Sequence, residues 1–329
     1  MINRVLFYNS GGGIGDAIQI LPLINSVKKQ FTGADFFYLC SHENHFKTNL
    51  KDLNCDIETL NLNIKYFGFR WWHYFNVRKK VKKLKIGKFD LIIDLQTKIR
   101  NTLILKKIPH DYFISACFNF LLSKPKISIN KENLNNQTII KAINRSFKVN
   151  CVLQEYNINN INNKFFIEAK RLLPEKNYVG LSITQGNVYR KKEWPLENLI
   201  DFCAHLKKNN KIPVFFIEKK KIKLKEKIQN LIPNSIFPEH KSSISSPALV
   251  VCLSKRLDFA LSIDNGIMHM LSLGKIPMIV LFGPTNSQKF APTYENCTVI
   301  DSKKIYKTND ISKITSQDVL SASRQFLNF

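Results

Sequence analysis

Leu257–Pro292 reads LDFALSIDNGIMHMLSLGKIPMIVLFGPTNSQKFAP, and its punctuation decides the fold. Leu257 to Ile263 is a short apolar run holding one Asp, the length and flavour of a buried strand. Asp264-Asn265-Gly266 follows, and Gly266 lets the chain turn tightly with backbone N–H groups exposed. Ile267 to Leu273 then makes roughly two helical turns, so its N-terminus sits over the carboxyl end of the strand. Gly274 ends that helix, Ile276 to Phe282 supplies a second strand, and Gly283-Pro284-Thr285 turns again. Free N–H groups and the positive end of a helix dipole at the edge of a parallel sheet form an anion site, usually for diphosphate. His269, on the first helical turn, could reach the same anion. Strand–turn–helix logic alone leaves an ordinary turn with His269 as a satisfied core residue equally open.

Upstream, Lys164–Leu173 reads as a helix stopped at Pro174, and Tyr178–Ile183 as a strand. The strand leads into TQGNVYRKKEWP, Thr184–Pro195, where small polar residues, a glycine and three cations describe an anion-binding loop. A surface basic loop with Trp194 packed beneath it is the other reading. Leu196–Lys208 is a helix, Ile212–Ile217 a strand ending at Glu218, and Ser243–Leu253 a short helix. A terminal helix spans about 315–327 on Val319, Leu320, Ala322 and Phe326.

The first half repeats the logic. Arg4–Asn9 is a strand, Ser10–Asp16 a glycine-rich loop, and Ala17–Gln30 a helix with apolar spacing at Ile20, Leu23, Ile24 and Val27. The dinucleotide pattern G-x-G-x-x-G fails because Asp16 occupies the third glycine position. On spacing alone Asp16 reads as a helix cap. A carboxylate beside a glycine loop could also take a proton from a hydroxyl, though spacing favours the cap. Strands are expected at Ala34–Cys40, Asp56–Leu60 and Phe89–Leu95, with helices at Glu43–Leu50 and Gln137–Phe147. His42 and His45 have helical spacing but no third ligand nearby, so no metal is assigned. Alternating strands and helices in both halves indicate an α/β protein with parallel sheets, split at the polar, aperiodic run Asn159–Asn163. The domains are then 1–160 and 161–329.

Three strings together are more specific than any one. D-N-G-x-x-H with G-K-I-P-M-I-V-L-F-G-P-T (Asp264–Thr285), G-D-x-x-x-x-x-P (Gly15–Pro22) and K-E-W-P (Lys192–Pro195) resemble glycosyltransferase family 9, the heptosyltransferases of lipopolysaccharide core assembly. The family usually has Ser or Thr where this chain has Asn265. The resemblance implies a GT-B fold: two Rossmann-like domains facing across a cleft, acceptor in the first, nucleotide-sugar donor in the second, with the terminal helix crossing back to the first domain. It implies an inverting, metal-independent transfer of a sugar, a heptose by the family's habit, to a lipid-linked saccharide. Asp16 becomes the catalytic base. Thr184, Lys192, Glu218, Asp264, Asn265, Gly266 and His269 become donor-binding residues. Gly15, Gln96, Lys98 and Arg100 become acceptor-binding residues, with Asp94 beside them. No cofactor is implied; a donor such as ADP-heptose is a substrate. Where the family has a glycine-containing turn before its acidic residue, this chain has Glu218 followed by three lysines, leaving the base and sugar open.

Composition bounds these readings. At 329 residues the chain suits two domains, and no stretch reaches the ~18 apolar residues of a membrane span. The N-terminus lacks the pattern of a signal peptide. Seven scattered cysteines without C-x-x-C point to reduced thiols and a cytoplasmic protein. The net charge of +25 admits nucleic acid, an anionic membrane surface, or a lysine-rich background without meaning. No recognised nucleic-acid motif occurs, so nucleic acid is not expected as a partner. KYFGFRWWHYFNVRKKVKKLKIGK, 65–88, sets aromatic residues before clustered cations. That suits the headgroup region of an anionic bilayer at the cytoplasmic face of the inner membrane, or a pocket for a phosphorylated lipid-linked sugar. A helix with an aromatic core face and a solvated basic face is the third possibility.

Overall fold

The computed structural model describes residues 1–41, 44–129, 135–185 and 191–326. The chain divides into two compact units at Asn157/Ile158. In the first, β1 (Arg4–Asn9), β2 (Asp35–Cys40), β3 (Glu58–Thr59), β4 (Phe89–Asp94) and β5 (His110–Ser115) form one parallel sheet in the order β3-β2-β1-β4-β5. Val5, Leu6, Phe7 and Tyr8 in the central strand are fully buried, as expected of a parallel strand covered on both faces. The helices are α1 (Ile14–Gln19), α2 (Leu21–Gln30), α3 (His73–Lys83), α4 (Ile99–Leu105) and α5 (Asn136–Phe147). The single helix expected over Ala17–Gln30 is in fact two, broken at Ile20. Pro22 lies in the first turn of α2, where its missing N–H costs nothing because a helix start leaves that donor unpaired anyway. In the expected helix 43–50, Glu43 lies outside the described residues, and the remainder forms a 3₁₀ turn, His45–Lys47, capped by Asn44.

The second unit places β6 (Tyr178–Ser182), β7 (Ile212–Phe215), β8 (Leu257–Ile263), β9 (Met278–Phe282) and β10 (Cys297–Asp301) in a parallel sheet ordered β10-β9-β8-β6-β7. Around it lie α6 (Asn163–Leu172), α7 (Leu196–Lys208), α8 (Ile222–Leu231), α9 (Pro238–Lys241), α10 (Pro247–Ser254), α11 (Gly266–Leu273), α12 (Ser287–Phe290), α13 (Ser302–Ile305) and α14 (Ser316–Ser323). Helix α10 is apolar all round because it is buried all round, packed between α6 and α11. Val319 and Leu320 of α14 join the core of the second unit, and the helix packs on α7, β9 and β10. Trp194 lies in the same core, 5% exposed, its indole N–H donating to the Ile314 carbonyl (2.7 Å), so this ring anchors the segment leading into α14.

All seven cysteines are free thiols, and burial pushes those of Cys55 and Cys203 up to about 12, leaving them inert.

Candidate functional site

In each sheet the strand order reverses about a central pair: β1 and β4 in the first, β6 and β8 in the second. Loops leaving the carboxyl ends of such a pair diverge, which makes that edge the usual ligand site of an open parallel sheet.

In the second unit the gap between β6 and β8 is bridged by side chains. Asn265 caps α11 by accepting the Met268 N–H (2.9 Å), while its amide donates to Ser182 Oγ (2.8 Å) and the Thr184 carbonyl (2.9 Å). A hydroxyl at this position could cap but has only one hydrogen to give, which accounts for Asn in place of Ser or Thr. Gly266 and Ile267 contribute first-turn N–H groups that have no acceptor within the helix, as at any helix start. Lys192 reaches across the same gap. Its ammonium contacts the Asp264 carboxylate and donates to the Asp264 carbonyl (3.1 Å), and its backbone N–H donates to Gln185 Oε1 (2.7 Å). The two charged side chains are 12% and 9% exposed, so a cation and an anion are held nearly dry beside the positive end of a helix.

Thr184, Lys192, Asp264, Asn265 and Gly266 are therefore brought to one place. His269 follows on α11 and is 7% exposed, and Ser272 Oγ donates to its carbonyl (2.8 Å). Glu218 stands at the carboxyl end of β7, next to β6, and pairs with Lys220 (2.7 Å); both are well exposed, so that pair contributes little. Behind it, on α9, burial and then the charge of Glu218 push Glu239 up to about 7. The reading from sequence missed Glu239, and it missed Thr285. Thr285 is 8% exposed in the turn after β9, and its hydroxyl has no hydrogen-bond partner among the described residues. Of the loop 184–195, Gly186 to Arg190 lie outside the described residues.

In the first unit Asn9, at the end of β1, organises the switch point. Its Oδ1 accepts from the Gly11 N–H (2.9 Å) and from Gln96 Nε2 (2.9 Å), and its Nδ2 donates to the Asp16 carbonyl (3.2 Å). Ser10 Oγ closes the ring by donating to Gln96 Oε1 (2.6 Å). Asp16 is the third residue of α1, half-buried, and its Oδ2 accepts the Gly13 N–H (3.2 Å). This is the cap, and it leaves the other carboxylate oxygen with lone pairs to spare. Gly11 and Gly13 wrap the group: a Cβ on Gly11 would stand 2.6 Å from Asp16 Cγ, and one on Gly13 3.2 Å from Oδ2. Gly15 is buried beneath. Asn9 was not legible as a site residue, because a strand-end Asn carries no signal of its own.

The remaining acceptor candidates separate. Lys98 is exposed at the start of α4. Arg100 turns to the Gly68 carbonyl, donating from Nε (2.8 Å). Asp94 is corrected outright: it is fully buried and faces inward, accepting from Thr102 Oγ1 (2.6 Å), Ser115 Oγ (2.8 Å) and the Gln96 N–H (3.0 Å). Burial pushes its carboxyl up to about 6, so it is a structural brace behind the edge. His45 Nε2 lies 3.1 Å from the Gly12 carbonyl and steadies the glycine loop; its partner in the histidine pair, His42, is outside the described residues. Among the described residues no group of His, Cys, Asp or Glu has the arrangement of a metal site.

Two Rossmann-like units, each an open parallel sheet with loops diverging at its switch point, make up a GT-B fold, and similar known structures share it. The sequence profile of glycosyltransferase family 9 (heptosyltransferase) matches residues 77–320. The chain belongs to that family. Similar solved structures include a family 9 glycosyl transferase from Veillonella parvula DSM 2008 (16% identity, 99% of this chain and 97% of that one, TM-score 0.72). The E. coli heptosyltransferase WaaC with ADP gives 16% identity over 98% and 97%, TM-score 0.67. The E. coli ADP-heptose lps heptosyltransferase II gives 14% identity over 99% and 99%, TM-score 0.67. No curated protein matches the sequence.

Proposed function

We propose that this glycosyltransferase moves a sugar, a heptose, from a nucleoside diphosphate donor such as ADP-heptose to a lipid-linked saccharide of the lipopolysaccharide-core type, at the cytoplasmic face of the inner membrane. The observation that carries the donor half is the β6/β8 switch point, where Lys192 and the capped start of α11 meet. The ammonium and the N–H groups of Gly266 and Ile267 take the diphosphate, with His269 on the same turn. Asp264 presets Lys192 and orients the donor sugar, Thr184 lines the loop, and Glu218 takes the ribose side. Asp16 removes the proton from an acceptor hydroxyl. The oxygen attacks the anomeric carbon as the bond to phosphate breaks, with inversion, and the electron pair leaves on the nucleoside diphosphate. Gly15, Gln96, Lys98 and Arg100 hold the acceptor. With Lys192 and the helix start carrying the developing charge, the reaction is written without a metal or cofactor.

A thermal-shift panel of ADP, UDP, GDP and ADP-heptose tests the donor half. A ligand at 100 times its dissociation constant stabilises the fold by about 2.7 kcal/mol. ADP and ADP-heptose should raise the midpoint and Lys192→Met should abolish the rise; no response to any nucleotide would remove the reading.

A further inference from the structure

Residues 59–89 contain nine lysines and arginines and no carboxylate. Within them α3 buries His73, Val77 and Val81, one turn apart. Trp72, Phe75, Asn76, Lys79, Lys82 and Lys83 share the opposite face by helical spacing. Phe67 is buried in the core and Tyr74 of α3 packs against it, so an aromatic core face accounts for two of the seven rings in this stretch. By contrast Trp71 is 54% exposed, Trp72 58% and Phe75 73%, with Tyr66 and Phe69 also exposed beside them. One such residue needs no explanation; five within ten positions do.

These rings stand on a braced support. Tyr8 hydroxyl donates to the Phe67 carbonyl (3.0 Å), the Gly68 N–H to His73 Nδ1 (3.2 Å), and Arg100 to the Gly68 carbonyl. Gly68 sits at φ +87 against the Tyr8 hydroxyl, where a side chain has neither the conformation nor the room. Cations accompany the rings: Arg70 Cζ is 5.6 Å from the Trp72 centroid and Lys65 Nζ 5.3 Å from that of Tyr66. The loop follows β3 and α3 runs back to β4, so the rings lie at the carboxyl edge of the sheet, the edge that carries Asp16 and Gln96.

We propose that this face of the first unit docks on an anionic lipid bilayer. Tyr66, Phe69, Trp71, Trp72 and Phe75 enter the headgroup layer, and Lys79, Lys82 and Lys83 meet lipid phosphates. The proposal rests on, and deepens, the reading of a lipid-linked acceptor, since it sets the acceptor edge against the surface that holds such a molecule. Single-stranded nucleic acid also takes rings and cations, but along a groove that tracks its backbone. Here the rings gather at one helix end with the lysines behind them.

Cosedimentation with phosphatidylglycerol/phosphatidylethanolamine vesicles, against pure phosphatidylcholine, reads the contact without any substrate. The wild type should bind the anionic vesicles, with tryptophan emission moving to shorter wavelength as Trp71 and Trp72 leave water; Trp194 is buried already. The triple variant Trp71→Ser, Trp72→Ser, Phe75→Ser, and separately Lys79→Glu, Lys82→Glu, Lys83→Glu, should each lower partitioning about tenfold or more. Lys170→Glu, Lys223→Glu, Lys227→Glu makes the same charge change at exposed sites of the second unit and should stay within about twofold. Equal loss in that control would reduce the effect to net charge and overturn the proposal. So would unchanged binding of the ring variant, or patch variants that lose an oligonucleotide while keeping vesicles. Patch variants should retain the nucleotide thermal shift, which checks their folding. If the wild type shows no such shift, the transfer reading fails while the docking result stands.

Discussion

Lys192 and Asp264 form a pair whose worth depends on which partner is removed. Breaking a buried pair leaves one charge uncompensated and costs about 3–5 kcal/mol, whereas replacing both by apolar residues is often neutral. Lys192→Met should thus lower stability by about 3 kcal/mol in denaturant unfolding, and Lys192→Met with Asp264→Leu should recover most of it. Neither should respond to ADP. A double variant that regains both stability and the ADP response would exclude Lys192 from the diphosphate site. Asp94 supplies a pH test. Its folded value, about 6, lies above the unfolded carboxylate value, so the folded state binds more protons between pH 4 and 6. The stability it contributes is complete below the unfolded value and is lost as pH rises through about 6. The loss is on the order of 3 kcal/mol. Asp94→Asn should flatten that slope, as measured by unfolding at pH 4, 5, 6 and 7; an unchanged slope would show that Asp94 is not its source.

At the scale of elements, the glycine loop and α1 act as a holder for one carboxylate. Gly11→Ala drives a methyl into Asp16 Cγ and must displace the carboxylate, so turnover should fall by about 10²-fold or more while ADP binding is unchanged. Equal loss of both would point to general unfolding. What was legible in the sequence follows the same physics. Leu257–Ile263 and Leu196–Lys208 came out with their observed bounds because each carries a strong period and a turn residue at its ends. The α1–α2 break was hidden because the apolar spacing Ile20, Leu23, Ile24, Val27 continues across it, and proline is welcome at a helix start. In FDLIID the terminal Asp reads alike whether it faces solvent or core. Its partners Thr102 and Ser115 lie on α4 and β5, so only the fold shows that Asp94 is a brace. Thr285 and Asn9 escaped for the same reason: their significance lies in what surrounds them.

At the scale of the whole molecule, the proposed reaction assigns one half of the transfer to each unit: a cation and helix start for the departing diphosphate in the second, a glycine-wrapped carboxylate for the incoming hydroxyl in the first. Among the described residues no helix is long and apolar enough to cross a membrane. The division of labour is exposed by Asp16→Asn, which keeps the shape of the side chain and removes its basicity. Turnover of ADP-heptose with a lipopolysaccharide-core acceptor, measured beside ADP-heptose affinity in the same preparation, tests it most directly. Affinity should stay within about twofold while turnover falls by about 10²–10⁴-fold. Turnover that survives the substitution would contradict the account.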